Sequence, residues 1–188
     1  MISVPPRTAW LLLVGTVAGW ISSIVLTVDD FKLLMNPAYV PSCNINPIIA
    51  CGSVMASKEA HVFGFPNPII GVVGFSVAVT MAVLAVAGVA LPRWFWGGLW
   101  LGLVAGMVFI CWLIFHTLYR IGALCPYCMV VWAFTPILLA SVTSQIWGNA
   151  RGALRIVVEW RWTFVIVFYA IVLVMVFLRF QTYWTSLI

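Results

Sequence analysis

The fold class this sequence predicts is an all-α integral membrane protein, and three observations carry the prediction. The chain is 65% hydrophobic and 7% charged, with a mean hydropathy of +1.17, whereas a soluble domain averages roughly 45–50% apolar and 25% charged residues. Five runs, at about 9–28, 68–91, 94–119, 125–147 and 162–180, reach the ~20 apolar residues that cross a bilayer as a helix. Only the interval 29–67 is long and polar, with Asp29, Asp30, Lys32, Lys58 and Glu59 and two of the five cysteines. The whole of 1–188 reads as a single membrane domain without a detectable internal repeat.

The first run follows Arg7 and continues for about 20 residues without a small-x-small cleavage site, so it is read as a retained helix and not as a secretory signal. In the external loop, Asp29 to Tyr39 sets Phe31, Leu34 and Met35 among charges, a pattern expected of a short interfacial helix lying over the bundle. Asn67-Pro68 opens the second run, with Asn67 placed to cap it. The third run contains Cys111, expected to pack as a core hydrophobe, and His116 near its outer end. The fourth opens on Cys125-Pro126-Tyr127-Cys128, and its internal Pro136 frees the carbonyl of Trp132. Trp94, Trp96, Tyr119, Trp147, Trp160, Trp162, Tyr183 and Trp184 fall near span ends, as in an aromatic belt.

The net charge of +5 comes from nine scattered Lys and Arg residues that form no aromatic-interleaved patch, which argues against a nucleic-acid partner. Their use is orientation. With the N-terminus cytoplasmic, that side receives Arg7, Arg93, Arg151, Arg155 and Arg161, and the other receives Lys32, Lys58, Arg120 and Arg179. The long loop and both cysteine pairs then lie outside the cytoplasm, where thiols are expected to pair.

Cys125 and Cys128, at i and i+3, share one helical face, and Pro126 suits the first turn. Cys125 then sits at the N-cap, where free backbone N–H groups and the helix dipole favour a thiolate, with Arg120 upstream as a further source of positive charge. Trp132 and Thr135 continue the face of Cys128 inward, a surface against which a flat apolar electron acceptor could lie. The spacing also serves zinc or simple packing. Cys43 and Cys51, however, are further apart than the ligands of a zinc knuckle, and no metal is expected. Cys43 and Cys51 on their own admit a purely structural disulfide, worth about 2 to 3 kcal/mol by loop entropy.

Three ordered motifs go further: Cys43-x7-Cys51-Gly52-Ser53-Val54-x2-Ser57, then Phe63-Gly64-Phe65-Pro66-Asn67-Pro68 leading into Gly71, then Cys125-Pro126-Tyr127-Cys128. With them the chain resembles the vitamin K epoxide reductase family in its bacterial form, from the first span through the fourth. The resemblance implies a four-helix transmembrane bundle around a quinone site, menaquinone or ubiquinone, to which this chain adds a fifth transmembrane helix. It implies that Cys43 meets the thiol of a thioredoxin-like (DsbA-like) partner, that Cys51 passes electrons to Cys125, and that Cys128 faces the quinone. Ser57 matches the family's loop Ser/Thr and joins the catalytic set. Asn67 aligns with a residue that hydrogen-bonds a quinone carbonyl in animal members. Trp132 stands where those members carry a Tyr contacting the other carbonyl, and Phe63, Phe65 and Thr135 complete the expected quinone contacts.

Many bacterial relatives end in a fused thioredoxin-like domain. The sequence here ends at Ile188, so a separate partner is expected. The implied activity is reoxidation of that partner with quinone, for disulfide formation at a bacterial cytoplasmic (inner) membrane. The alternatives are a quinone or vitamin K epoxide reductase, and a non-enzymatic membrane scaffold with a stapled loop.

Overall fold

The computed structural model describes residues 1–46, 48–148 and 151–181. The predicted Tyr183 and Trp184 belt residues lie outside them. Among the described residues, five helices are long and apolar enough to cross a membrane: α1 (Pro6–Met35), α3 (Pro68–Val86), α4 (Arg93–His116), α5 (Pro126–Trp147) and α7 (Arg161–Arg179). Two short helices, α2 (Cys51–Met55) and α6 (Ala153–Glu159), and a 3-10 turn at Lys58–His61 lie in the connections. A π-helical turn, Thr117–Ile121, ends α4. The protein is an all-α membrane protein, as the composition requires.

The bundle is organised around α1. Its buried positions, Ala9, Leu12, Thr16, Gly19, Ser23, Leu26 and Asp30, recur at three- and four-residue intervals and form one face. Many of them are small, which in a bilayer lets backbones approach closely. Gly19 lies under the Phe75 ring of α3, and Gly15 under Phe134 and Leu138 of α5. Hydrogen bonds between spans add direction: Trp20 Nε1 donates to Ser76 Oγ at 2.9 Å, Trp100 Nε1 to Thr143 Oγ1 at 3.0 Å, and Arg93 to the Ile146 carbonyl at 2.9 Å. The fifth span, α7, packs on the outside against α5.

Four expectations are corrected. No separate interfacial helix lies over the bundle, because nothing in 29–35 breaks α1, which runs on to Met35 before Asn36-Pro37 stops it. At ~1.5 Å per residue its 30 residues reach about 45 Å, beyond the ~30 Å hydrocarbon core. In this extension the bundle face inherited from Leu26 takes in Asp29 and Asp30, and Phe31, Leu34 and Met35 point outward. Trp96 is not a belt residue; it is fully buried among Leu12, Leu103 and Val142. Cys111 faces away from the core that holds its neighbours Ile110 and Ile114. The second span ends at Val86, five residues short of the expected boundary, and Gly88 turns the chain with φ 76°.

Gly19 shows how tight the central seam is, since a Cβ there would collide with the Phe75 ring. Gly19→Ala is expected to destabilise the protein by about 1–3 kcal/mol, the ordinary cost of overpacking. It should lower the thermal unfolding midpoint in detergent, and the double variant with Phe75→Leu should recover part of the loss.

Candidate functional site

The loop cysteines are joined, Cys43 Sγ to Cys51 Sγ at 2.06 Å. Asparagines shape the segment they close. Asn46 Oδ1 accepts from the N–H groups of Ile48 and Ile49 at 3.0 and 2.7 Å, and Asn44 Oδ1 from Gly52 N–H at 2.9 Å. Beyond Asn46 the chain runs beside the residues that lead into α5. Leu124 N–H donates to Ile48 O at 2.6 Å and Ala50 N–H to Leu124 O at 3.0 Å, a single parallel β-bridge. The bridge pairs Ile49 with Leu124, so Cys51 lies two residues beyond it on one segment and Cys125 one residue beyond it on the other. Both are buried with Cys43, Leu26 and Met55 in one small core, and Tyr127 and Cys128 pack against it.

Cys125 is the N-cap of α5 and Pro126 its first residue. The Cys125 thiol is held below the ordinary cysteine range, chiefly by its hydrogen bond with the Cys128 thiol. The backbone N–H groups of Cys128 and Tyr127 help, and burial works against them. Arg120 does not take part, since its side chain is mostly exposed and lies 3.9 Å from Glu59. Cys125 and Cys128 are free thiols.

Beside this cluster lies a cavity of about 1010 Å³ between α1, α3, α4 and α5. Cys125, Cys128, Trp132 and Thr135 form its α5 wall. Phe63 and Phe65 stand at its loop end with ring centroids 6.1 Å apart, and Phe63 also lies 6.0 Å from Phe109 of α4. Asn67 borders it too, but its side chain does not cap α3. Instead Nδ2 donates to Glu59 O at 2.7 Å and Oδ1 accepts from Val62 N–H at 3.3 Å, which fixes the amide and leaves one Nδ2 hydrogen over. The Thr135 hydroxyl is turned back onto Val131 O at 2.8 Å. Ser57 is not among the cavity residues. Its hydroxyl closes α2 on Val54 O at 2.7 Å, and its carbonyl faces His61 Nδ1 at 3.4 Å. Cys43, 5% exposed, is covered from outside.

Two groups of cavity residues escaped the sequence reading. Gly98, Gly102 and Gly106 of α4 repeat every four residues and line the cavity, and a Cβ at any of them would meet open space. The four-residue glycine spacing was the available signal, although it usually marks helix–helix contact. Asp30 also lines the cavity, fully buried and 3.4 Å from His61. Its only signal was a charge at the end of an apolar run.

The fit to a flat apolar ring with a lipid tail is good: an apolar cavity, aromatic faces at one end, one spare amide hydrogen and a thiol pair. If the Cys128 thiol holds the Cys125 pKa down, removing it should release it. In a Cys43→Ala/Cys51→Ala/Cys111→Ala background, thiolate absorbance against pH should show its first transition below that of an ordinary thiol. Adding Cys128→Ala should move that transition upward, so that less thiolate is present at any given pH. An unmoved midpoint would count against the thiol–thiol hydrogen bond as the cause.

No curated protein matches the sequence. The family model described as the vitamin K epoxide reductase family matches residues 10–143, which contain both cysteine pairs, the second and third spans, and most of the first and fourth. The chain belongs to the vitamin K epoxide reductase family.

Proposed function

We propose that the protein is a quinone-dependent thiol oxidoreductase that reoxidises a thioredoxin-like partner outside the cytoplasm. Family membership makes it an oxidoreductase. The observation that carries the finer reading is the shared core of Cys43, Cys51 and Cys125, with Cys128 opening onto an apolar cavity. Two redox pairs in contact, one toward the loop and one toward the bundle, form a path for electrons from an aqueous dithiol to a lipophilic acceptor.

The chemistry is thiol–disulfide exchange. A thiolate of the reduced partner attacks Cys43 Sγ, Cys51 leaves as thiolate, and the partner's second thiol releases the partner as a disulfide. Cys51 then attacks Cys125 of an oxidised Cys125–Cys128 pair, and Cys128 leaves. Cys43 attacks Cys51, which restores Cys43–Cys51 and leaves Cys125 and Cys128 as the dithiol. That end point has the outer pair bonded and the inner pair free, the same pairing the cysteines have here, which supports the reading. Quinone, when bound, supplies a two-electron, two-proton sink of higher potential than a periplasmic dithiol. Asn67 and Trp132 would orient it beside Cys128, and Phe63 and Phe65 would cover its ring. Burial of Cys43 requires the partner to displace part of its cover on docking. The arginines at Arg7, Arg93, Arg151, Arg155 and Arg161 support a bacterial inner-membrane orientation with the cysteine end outside.

The purified protein with a reduced DsbA-like partner should bleach quinone absorbance, and Cys125→Ser should abolish it. Cys43→Ala, which lacks the thiol that resolves it, should accumulate a Cys51–Cys125 disulfide, seen by mass mapping. Absence of turnover with both menaquinone and ubiquinone would sink the reading.

The glycine strip on α4 supports a place for the quinone's isoprenoid tail. Gly102→Leu should raise KM for a long-chain quinone several-fold and leave a short-chain analogue nearly unaffected. Equal effects on both would argue that the tail lies elsewhere.

A further inference from the structure

Asp30 is a buried carboxyl group that the exchange chemistry above does not use. It is 1% exposed, and neither oxygen has a hydrogen-bond partner among the described residues. It lines the cavity together with Cys125, Cys128, Asn67 and Trp132. Helical spacing places it on the cysteine side of α1. Leu26, four residues back, belongs to the core of Cys43, Cys51 and Cys125, and Leu33, three residues on, packs against that core.

The partner of Asp30 is His61, whose Nε2 lies 3.4 Å from Oδ1 and whose side chain is 26% exposed. The pair therefore spans from the cavity to the outer surface. His61 Nδ1 faces the Ser57 carbonyl at 3.4 Å, and a carbonyl can only accept, so Nδ1 carries a hydrogen. Nε2 then faces Asp30 Oδ1 and has no other partner among the described residues.

The neighbouring charges are engaged elsewhere. Asp29 is 3.6 Å from Lys32 and accepts from the Tyr39 hydroxyl at 2.9 Å. Glu59 is 3.9 Å from Arg120 at the end of the π turn. His116 is half-buried with Nδ1 2.9 Å from Trp112 O, Lys58 is exposed, and α3 carries no titratable side chain. Among the described residues, only Cys125 and Cys128, from the start of α5, share the cavity with Asp30 as ionisable groups.

We propose that Asp30 and His61 form the proton path of the redox cavity. The proposal rests on the reading of the protein as a quinone-reducing dithiol oxidase. Forming the Cys125–Cys128 bond releases two electrons and two protons, and reduction of a quinone to quinol consumes both. The electrons leave from sulfur, and the thiol protons need a base within an apolar cavity. The Asp30 carboxylate accepts a thiol proton and returns it to the acceptor's oxygen, and His61 exchanges protons between Asp30 and external water.

The test compares wild type, Asp30→Asn and Asp30→Glu in a Cys111→Ala background, with two readouts. In turnover with a short-chain quinone, Asp30→Asn should lose about 10²-fold at pH 7, within the usual range for a positioned proton carrier. Its rate should then climb about tenfold per pH unit as hydroxide replaces the carboxylate, and Asp30→Glu should restore most of the activity. In quinone-free protein, oxidation of the Cys125/Cys128 dithiol should change the carboxyl C=O band in the infrared difference spectrum, and Asp30→Asn should remove that change. Single-turnover transfer from the partner to Cys125/Cys128 should stay within about twofold of wild type, which controls for folding. Wild-type rate and pH profile in Asp30→Asn, a pH-independent loss that Asp30→Glu fails to restore, or a carboxyl band indifferent to the substitution would each overturn the proposal. A wild-type protein that reduces no quinone would instead overturn the functional reading beneath it.

Discussion

Two backbone hydrogen bonds, Leu124 N–H to Ile48 O and Ala50 N–H to Leu124 O, are the constraint on which the site depends. They join segments more than seventy positions apart in sequence and fix where each enters a helix, α2 at Cys51 and α5 at Pro126. Without that register the two cysteine pairs would be tied only to their own local elements. With it, Cys51 and Cys125 share a core from which water is excluded. The loop is thus a fitted part of the site, with Cys43, Cys51 and Cys125 in one core.

The cavity follows from an asymmetry in how the spans pack. α1 is held closely against α3 and α5 by its small residues, whereas α3 and α4 barely touch. Between them the glycine strip of α4 and Gly74 of α3 leave open surface. In a bilayer such a gap costs little if something apolar fills it, because lipid chains and a lipid-soluble ligand solvate the walls about as well as side chains do. The polar groups are gathered at the loop end, where Asn67, Asp30 and the cysteines border the cavity. The cavity therefore grades from lipid-like to chemically active along its length, an arrangement suited to a molecule with an apolar tail and a reactive ring.

Much of this was legible in the sequence, and the gaps have physical causes. Span number and approximate limits follow from apolar length alone, because no other structure satisfies its backbone in lipid. The cysteine motifs announced themselves by spacing and by position at the start of a span. The inward and outward faces of the spans were not legible. α4 is apolar on every side, so nothing in its pattern placed Trp96 in the core or turned Cys111 away from it. The same uniformity hid the glycine strip, since a small residue facing a cavity and one facing a helix read alike. Asp30 was concealed differently. Assigning residues 29–67 to the loop made it one solvated charge among five, and only the uninterrupted run of α1 to Met35 carries it inside.

The fifth span clarifies why the bridge holds. Among the described residues, α7 contributes nothing to the walls of the cavity lined by Cys125 and Cys128. It supports the helices that do. The Tyr169 hydroxyl donates to the Ala133 carbonyl, beside the place where Pro136 leaves the Trp132 carbonyl without its usual helical donor. At the other end Arg179 Nε donates to Leu118 O at 2.7 Å, at the junction of α4 and the π turn that leads to Gly122 and Leu124. Phe180 then enters the core formed by Ile48, Leu118, Leu124 and Trp132. Both sides of the β-bridge and the aromatic wall of the cavity therefore rest on one apolar cluster, and the last turn of α7 closes it. A helix that lines no part of that cavity in this way supports the segment carrying Leu124 and the bridge it makes.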